Sequence, residues 1–440
     1  MTSLGWIGIV RLGLVQMALG AIVVLTTSTL NRVMVVELAL PALVPGLLVA
    51  IHYAVQITRP RMGFGSDRSG RCTPWILGGM LVLAAGGTLA AGATAWMATQ
   101  RAAGLALAAV AFLFVGLGVS AAGTSLLVLL AKRVAAERRA AAATIVWMMM
   151  IIGFAVTAGL AGRWLDPYTP ARLISVSASV GGIACVVALL ALWRLEGRAR
   201  ATDEAAPEPR LRFFDALAQV WQESTARRFT VFVFVSMLAF SAQDLILEPF
   251  AGAVFGLTPG ATTQLSGVQH GGVLLGMIAA ALAGSRLRIG SLRQWTIGGC
   301  IASAFALAAL VAAGTLGPPW PLHATVFALG AANGAFSIAA IGSMMRLASE
   351  GRAQREGVRM GLWGASQAIS FGVGGFAGAL ASDVARHFIA STGSAYAVVF
   401  AAEAVLFLWA AALAAGIDTE ARAPRTRRWA WNRSTPTMPS

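Results

Sequence analysis

Two carboxylates stand where a charge is costly. In Gln243-Asp244-Leu245-Ile246-Leu247-Glu248-Pro249, Asp244 and Glu248 lie four residues apart inside an apolar run. On a helix that spacing puts both on one face. Two acids so placed repel unless a proton or cation intervenes, and ionisable groups inside apolar spans mark ligand or ion pathways. A second polar group, Asn31-Arg32 with Glu37 after it, closes the first apolar run. Four histidines follow: His52, His270, His323 and His387. A neutral imidazole can ligate a metal, including the magnesium of a chlorin. His270 is flanked by Gly267, Gly271 and Gly272, so a flat macrocycle could approach the backbone there. His270 and His52 are the stronger ligand candidates. The bland alternative is that both bridge helices by hydrogen bonds.

Other chemistry is missing from the sequence. Cys72, Cys185 and Cys300 form no CxxC pair and no metal spacing. There is no P-loop, HExxH, GxSxG or GxGxxG in a strand–helix setting. An ATP-driven pump or a hydrolase is therefore not expected, and the chain is read as a non-enzyme.

The elements that position these groups follow from composition. Charged residues make up 12%, hydrophobic residues 58%, and mean hydropathy is +0.75. Soluble domains carry roughly 25% charged residues. A bilayer-spanning helix needs ~20 mostly apolar residues, and twelve such runs are legible: 11–31, 41–58, 75–98, 105–130, 141–162, 173–193, 229–250, 262–283, 295–314, 323–347, 362–382 and 396–417. Each is expected to be helical, because backbone polar groups in lipid must bond internally. The first run lacks a clear cleavage site and is read as helix 1.

The net charge of +15 does not indicate nucleic acid, because the arginines are scattered through the connectors. With the N-terminus in the cytoplasm, 28 of 33 Lys and Arg residues fall on the cytoplasmic side; Arg32, Arg101, Arg163, Arg172 and Arg386 are the others. That asymmetry sets both termini inside and an even helix count. Trp75, Trp164, Trp193, Trp295, Trp320 and Trp363 sit near span ends and suit the interfacial belt. The longest connector begins as a Pro/Ala-rich linker. It continues as an amphipathic segment with Phe213, Phe214, Leu217, Val220 and Trp221 at helical spacing. The expected organisation is 1–193, an N-terminal six-helix bundle; 194–228, a cytoplasmic linker with an interfacial helix; 229–417, a C-terminal six-helix bundle; and 418–440, a basic cytoplasmic tail.

Two six-helix halves joined by a cytoplasmic loop resemble the major facilitator superfamily. The connector Gly63-Phe64-Gly65-Ser66-Asp67-Arg68-Ser69-Gly70-Arg71 is similar to its loop signature, G-x-L-x-D-R-x-G-R, with Gly65 at the leucine position. Gly63, Asp67, Arg68, Gly70 and Arg71 would then form a gating loop. The second-half counterpart, Gly284 to Gly290, has lost the acid. In a two-fold repeat helices 1 and 7 are counterparts beside a central cavity, so Arg32 is expected to pair with Asp244 or Glu248 across its outer end.

Three strings are more specific: Leu30-Asn31-Arg32-Val33-Met34-Val35-Val36-Glu37-Leu38, Arg59 to Asp67, and Ser241-Ala242-Gln243-Asp244-Leu245-Ile246-Leu247-Glu248-Pro249-Phe250. They resemble the bacteriochlorophyll delivery (PucC/LhaA) family of photosynthetic bacteria. The short loop between helices 2 and 3 points to the subgroup encoded near bacteriochlorophyll synthase. The resemblance marks Asn31, Arg32, Glu37, Gln243, Asp244 and Glu248 as family positions. It implies an assembly factor of the inner, intracytoplasmic photosynthetic membrane. Such a protein would bind or deliver bacteriochlorophyll to light-harvesting or reaction-centre polypeptides, with bacteriochlorophyll synthase as a further partner. The residues alone leave two alternatives: a proton-coupled transporter with Asp244 or Glu248 as proton carrier, and a scaffold without a small-molecule ligand.

Overall fold

In a computed structural model, which describes residues 4–59, 62, 71–135, 138–196, 221–285, 287, 289–350 and 356–417, all regular structure is helical. The helices are α1 (Trp6–Glu37), α2 (Leu43–Val55), α3 (Thr73–Trp96), α4 (Arg101–Arg133), α5 (Arg139–Leu165), α6 (Pro170–Leu192), α7 (Ser224–Phe255), α8 (Pro259–Ser285), α9 (Leu292–Leu316), α10 (Leu322–Glu350), α11 (Glu356–Phe388) and α12 (Thr392–Ile417). All but α2 are long and apolar enough to cross a bilayer, and the chain is a multi-pass membrane protein.

Local signals set several helix ends. Pro74 and Pro170 occupy first-turn positions of α3 and α6, where the missing N–H costs nothing. Thr169 caps α6, and Ser291 with Gln294 forms a capping box on α9. Gly256 ends α7 at φ 68°, a conformation a side chain would resist.

Two spans depart from expectation. The second is a 13-residue α-helix followed by a 3-10 turn at Gln56–Thr58, shorter than the run 41–58 suggests. Its N-terminus is held from the opposite half: Asp383 at the end of α11 accepts from the backbone N–H of Ala42 and Leu43 at 2.9 and 2.7 Å. The first span does not end at 31. α1 runs on to Glu37 through two π turns, Leu25–Thr29 and Val33–Glu37. Wide turns release carbonyls, and nearby hydroxyls take some of them: Thr26 and Thr27 both donate to Val23 O, at 2.8 and 3.0 Å.

Packing repeats between the halves. In the first half α1 packs on α5 and α6, α3 on α4 and α6, and α2 on α4; in the second, α7 packs on α11 and α12, α9 on α10 and α12, and α8 on α10. Across the halves α2 meets α11 and α5 meets α8. Small residues permit the approach. A Cβ on Gly374 would stand 2.5 Å from Leu238 O, and one on Gly378 2.9 Å from the Ala242 Cβ. α11 thus lies directly on α7, as close helix packing of its glycines implies. The C-terminal core gathers Phe229, Phe232, Phe250, Phe336, Phe400 and Phe407. Trp363 joins it at 1% exposure, edge-on to Phe229. It is a core residue and not part of an interfacial belt, which Trp164 and Trp193 suit by their exposure. The amphipathic segment at 213–220 lies outside the described residues.

Candidate functional site

The π-containing part of α1 faces α7 and α8, and the polar groups expected from the sequence converge there. Ser28 Oγ donates to Glu248 Oε1 at 2.5 Å, and the Thr29 and Thr263 hydroxyls share a hydrogen bond of 3.0 Å. Thr262 and Ser266 of α8 bring further hydroxyls close to Glu248, although its Oε2 has no partner in hydrogen-bond geometry. Asn31 Nδ2 donates to Leu245 O. Proline at position 249 explains that bond. It has no N–H, so the carbonyl four residues earlier, Leu245 O, lacks its helical donor. Asn31 of the other half supplies the donor. The two family strings are therefore joined by a specific hydrogen bond.

Arg32 corrects the expected pairing. It is 2% exposed and binds Glu37 of its own helix, Nη1 to Oε1 at 2.5 Å, with Nη2 donating to Leu257 O at 2.7 Å. Among the described residues it forms no ion pair with Asp244 or Glu248. The second π turn brings Glu37 back over Arg32, which a sequence-based helix ending at 31 could not anticipate. Gly252 makes room for the guanidinium: a Cβ there would stand 3.0 Å from Arg32 Nε and Nη2. Tyr168, in the turn between α5 and α6, lies near this pair. Burial chiefly raises its phenol, the Glu37 charge adds to that, and Arg32 opposes it.

Asp244 is not hydrogen-bonded to Glu248. Its Oδ1 accepts from Gln269 Nε2 of α8 at 3.3 Å. Gln243 is fully buried with neither amide atom partnered, and so is Glu403 of α12 with both carboxylate oxygens. The sequence reading does not single out Glu403, although a lone acid inside the run 396–417 is a signal of the same kind as Asp244.

His52 and His270 are buried, whereas His323 and His387 are exposed. His270 Nδ1 lies 2.8 Å from Ser266 O. A carbonyl can only accept, so Nδ1 carries the proton, and a neutral ring keeps its lone pair on Nε2. Phe154 meets the ring edge-on at 5.0 Å. The flanking glycines do not leave an open face, which corrects that expectation. Gly267 abuts the backbone of Gly159 and Gly272 that of Phe327; only Gly271 faces open space. His52 shares a hydrogen bond with Gln56 through Nε2 at 3.1 Å and is 1% exposed. Of the gating loop, Gly63, Asp67, Arg68 and Gly70 lie outside the described residues, and Arg71 alone is inside them.

The chain matches the PUCC protein family over residues 29–421. It belongs to that family. Its relatives include the bacteriochlorophyll synthase 44.5 kDa chain of Rhodobacter capsulatus, 52% identical over 94% of this chain and 96% of that one. Protein PucC of Rhodovulum sulfidophilum is 31% identical over 86% and 85%. The difference in identity places the chain in the subgroup of the former relative. Among solved structures, a bacterial homolog of the human lysosomal transporter Spinster, inward-facing and unoccupied, aligns with a TM-score of 0.69 at 16% identity over 92% of this chain and 95% of that chain. The peptide transporter POT in complex with sulfate gives 0.68 at 15% over 95% and 97%. The fold of this PUCC protein family member is therefore that of the major facilitator superfamily.

Proposed function

We propose that the protein is a non-enzymatic assembly factor that takes bacteriochlorophyll as cargo and passes it to light-harvesting or reaction-centre polypeptides in the photosynthetic membrane. The observation that carries this reading is family membership combined with a transporter-like fold. One relative, 52% identical, is named for bacteriochlorophyll, and others are PucC proteins. The polar groups gathered between α1, α7 and α8 are joined to one another across helices, an arrangement suited to holding a cargo or a conformation. Bacteriochlorophyll synthase and the receiving polypeptides would be the partners on either side of the transfer, and the intracytoplasmic membrane its place.

His270 is the better-placed ligand for the pigment magnesium, because its remaining lone pair is on Nε2. Cargo entry there requires α8 to part from a neighbouring helix, since Gly267 and Gly272 are occupied by backbone. The test is purification from photosynthetic membranes in mild detergent, followed by identification of the polypeptides retained. Antenna or reaction-centre polypeptides, or the synthase, should co-purify with pigment. A colourless protein in a strain whose deletion leaves antenna levels unchanged would overturn the proposal. His270→Ala should lower the pigment retained, and unchanged retention would remove His270 as a ligand.

A further inference from the structure

Four polar atoms with no partner lie at one depth in the C-terminal half: Gln243 Nε2 and Oε1 on α7, and Glu403 Oε1 and Oε2 on α12. Their residues are 0% and 2% exposed. α7 and α12 run antiparallel in a register fixed at both ends. Arg228 near the start of α7 donates to Gly416 O at the end of α12 at 3.3 Å. Toward the other end, the Phe250 ring packs on Tyr396 and Phe400 with centroids 5.6 and 5.0 Å apart. Gln243 is seven residues before Phe250, and Glu403 is seven residues after Tyr396. Two turns along each helix from the same ring contact, the two side chains come level. Asp244 is close enough for its charge to act on Glu403.

An ionised Glu403 offers only acceptors. It could not satisfy Gln243 Oε1, and it would set a second negative charge beside Asp244 in a core built of Phe250, Phe400 and Phe407. One proton resolves both difficulties. With the two side chains turned toward each other, the carboxylic O–H can donate to Gln243 Oε1 and Gln243 Nε2 to the other carboxyl oxygen, two bonds for four atoms that have no partner in this structure. We infer that Glu403 is a proton-binding site, held as a neutral acid–amide pair with Gln243 across the α7–α12 interface.

Glu403 is the acid without a donor: Asp244 Oδ1 already accepts from Gln269 Nε2, whereas neither oxygen of Glu403 has a partner. Among the described residues, the charged groups on the other helices packed on α12 lie toward its ends. Arg293, at the start of α9, donates to Ala415 O at the helix end, and within the span α9 offers Thr296, Cys300 and Ser303. On α11, Asp383 caps α2 and Arg386 lies beside Tyr396, both toward the opposite end. A metal cation would need about six oxygen ligands, and among the described residues no group of three or more His, Cys, Asp or Glu side chains is placed to hold one. Losing the proton would remove the O–H donor, leave Gln243 Oε1 unsatisfied and place a charge in the core, so the fit of α12 on α7 is tied to protonation. α7 also carries Asp244 and Glu248. The site thus links a proton to the central cluster whatever the cargo is.

Infrared spectroscopy of the full-length protein in lipid nanodiscs tests this. At neutral pH the carbonyl stretch of a protonated carboxylic acid should be present and should be lost in Glu403→Gln, with the melting temperature unchanged or raised. Gln243→Leu should retain the band and move it to higher frequency, since the hydrogen bond is gone. A band that Glu403→Gln leaves untouched would overturn the inference. So would a band that exchange of potassium for sodium abolishes, or one whose frequency ignores Gln243→Leu. Should Glu403→Gln fail to fold, the Gln243→Leu frequency decides alone.

Discussion

At the scale of single residues, the bond from Asn31 to Leu245 O exists because Pro249 removes the helical donor. Removing the amide leaves a buried carbonyl unsatisfied, which costs about 1–3 kcal/mol. Asn31→Ala should destabilise the protein by that amount in thermal or denaturant unfolding in detergent. In a Pro249→Ala background the helix supplies its own N–H, and the same change should cost clearly less. Equal costs in both backgrounds would break the link between the two family strings. Arg32 makes a second case. Arg32→Met leaves Glu37 and Leu257 O without their donor. Glu37 is about a third exposed, so the loss should fall below the ~3–5 kcal/mol of a fully buried broken pair. Which residues matter was legible in the sequence, since a charge in an apolar run announces itself. Their partners were not. Arg32 reaches Glu37 through a π turn, and α-helical spacing does not anticipate that geometry.

At the scale of elements, apolar runs located eleven long helices to within several residues, because in lipid hydrophobicity and helix formation coincide. The twelfth, α2, has an apolar run of ordinary appearance and yet forms only 13 residues of α-helix. Its first turn is completed from outside by Asp383, whose two carboxylate oxygens take the N–H groups of Ala42 and Leu43. Asp383 lies one residue beyond the expected end of span eleven, a position with no sequence signal for capping a distant helix. The second half has a related arrangement. Asp166, after α5, accepts from Thr258 Oγ1 at 3.1 Å and lies against Gly260 at the start of α8. Both acids act where one half meets the other. Asp383→Ala should cost about 1–2 kcal/mol, the magnitude of a lost N-cap with a favourable charge at the helix N-terminus. The measurement is the melting temperature of the full chain beside that of Asp383→Asn, which should lose less. Identical behaviour of the two variants would contradict the capping role.

At the scale of the whole molecule, the packing of α1 to α6 recurs in α7 to α12, and the halves touch through α2 with α11 and α5 with α8. The sequence made twelve spans and a long central connector visible. The contacts themselves depend on glycines such as Gly374 and Gly378, which read only as generic small residues before their neighbours are known. Orientation rests on the asymmetry of Lys and Arg. Accessibility tags near 200 and 355 should both report the cytoplasmic side, and tags on opposite sides would undo the topology. The central claim is that the cluster between α1, α7 and α8 serves a bacteriochlorophyll cargo. Its most direct measurement is the red absorption of the gently purified protein beside that of Glu248→Ala, with folding of both checked by their helical circular dichroism. The account expects a bacteriochlorophyll band in the former that is much reduced in the latter at equal helicity. A folded wild-type protein without the band, or a variant that keeps it in full, would contradict the claim.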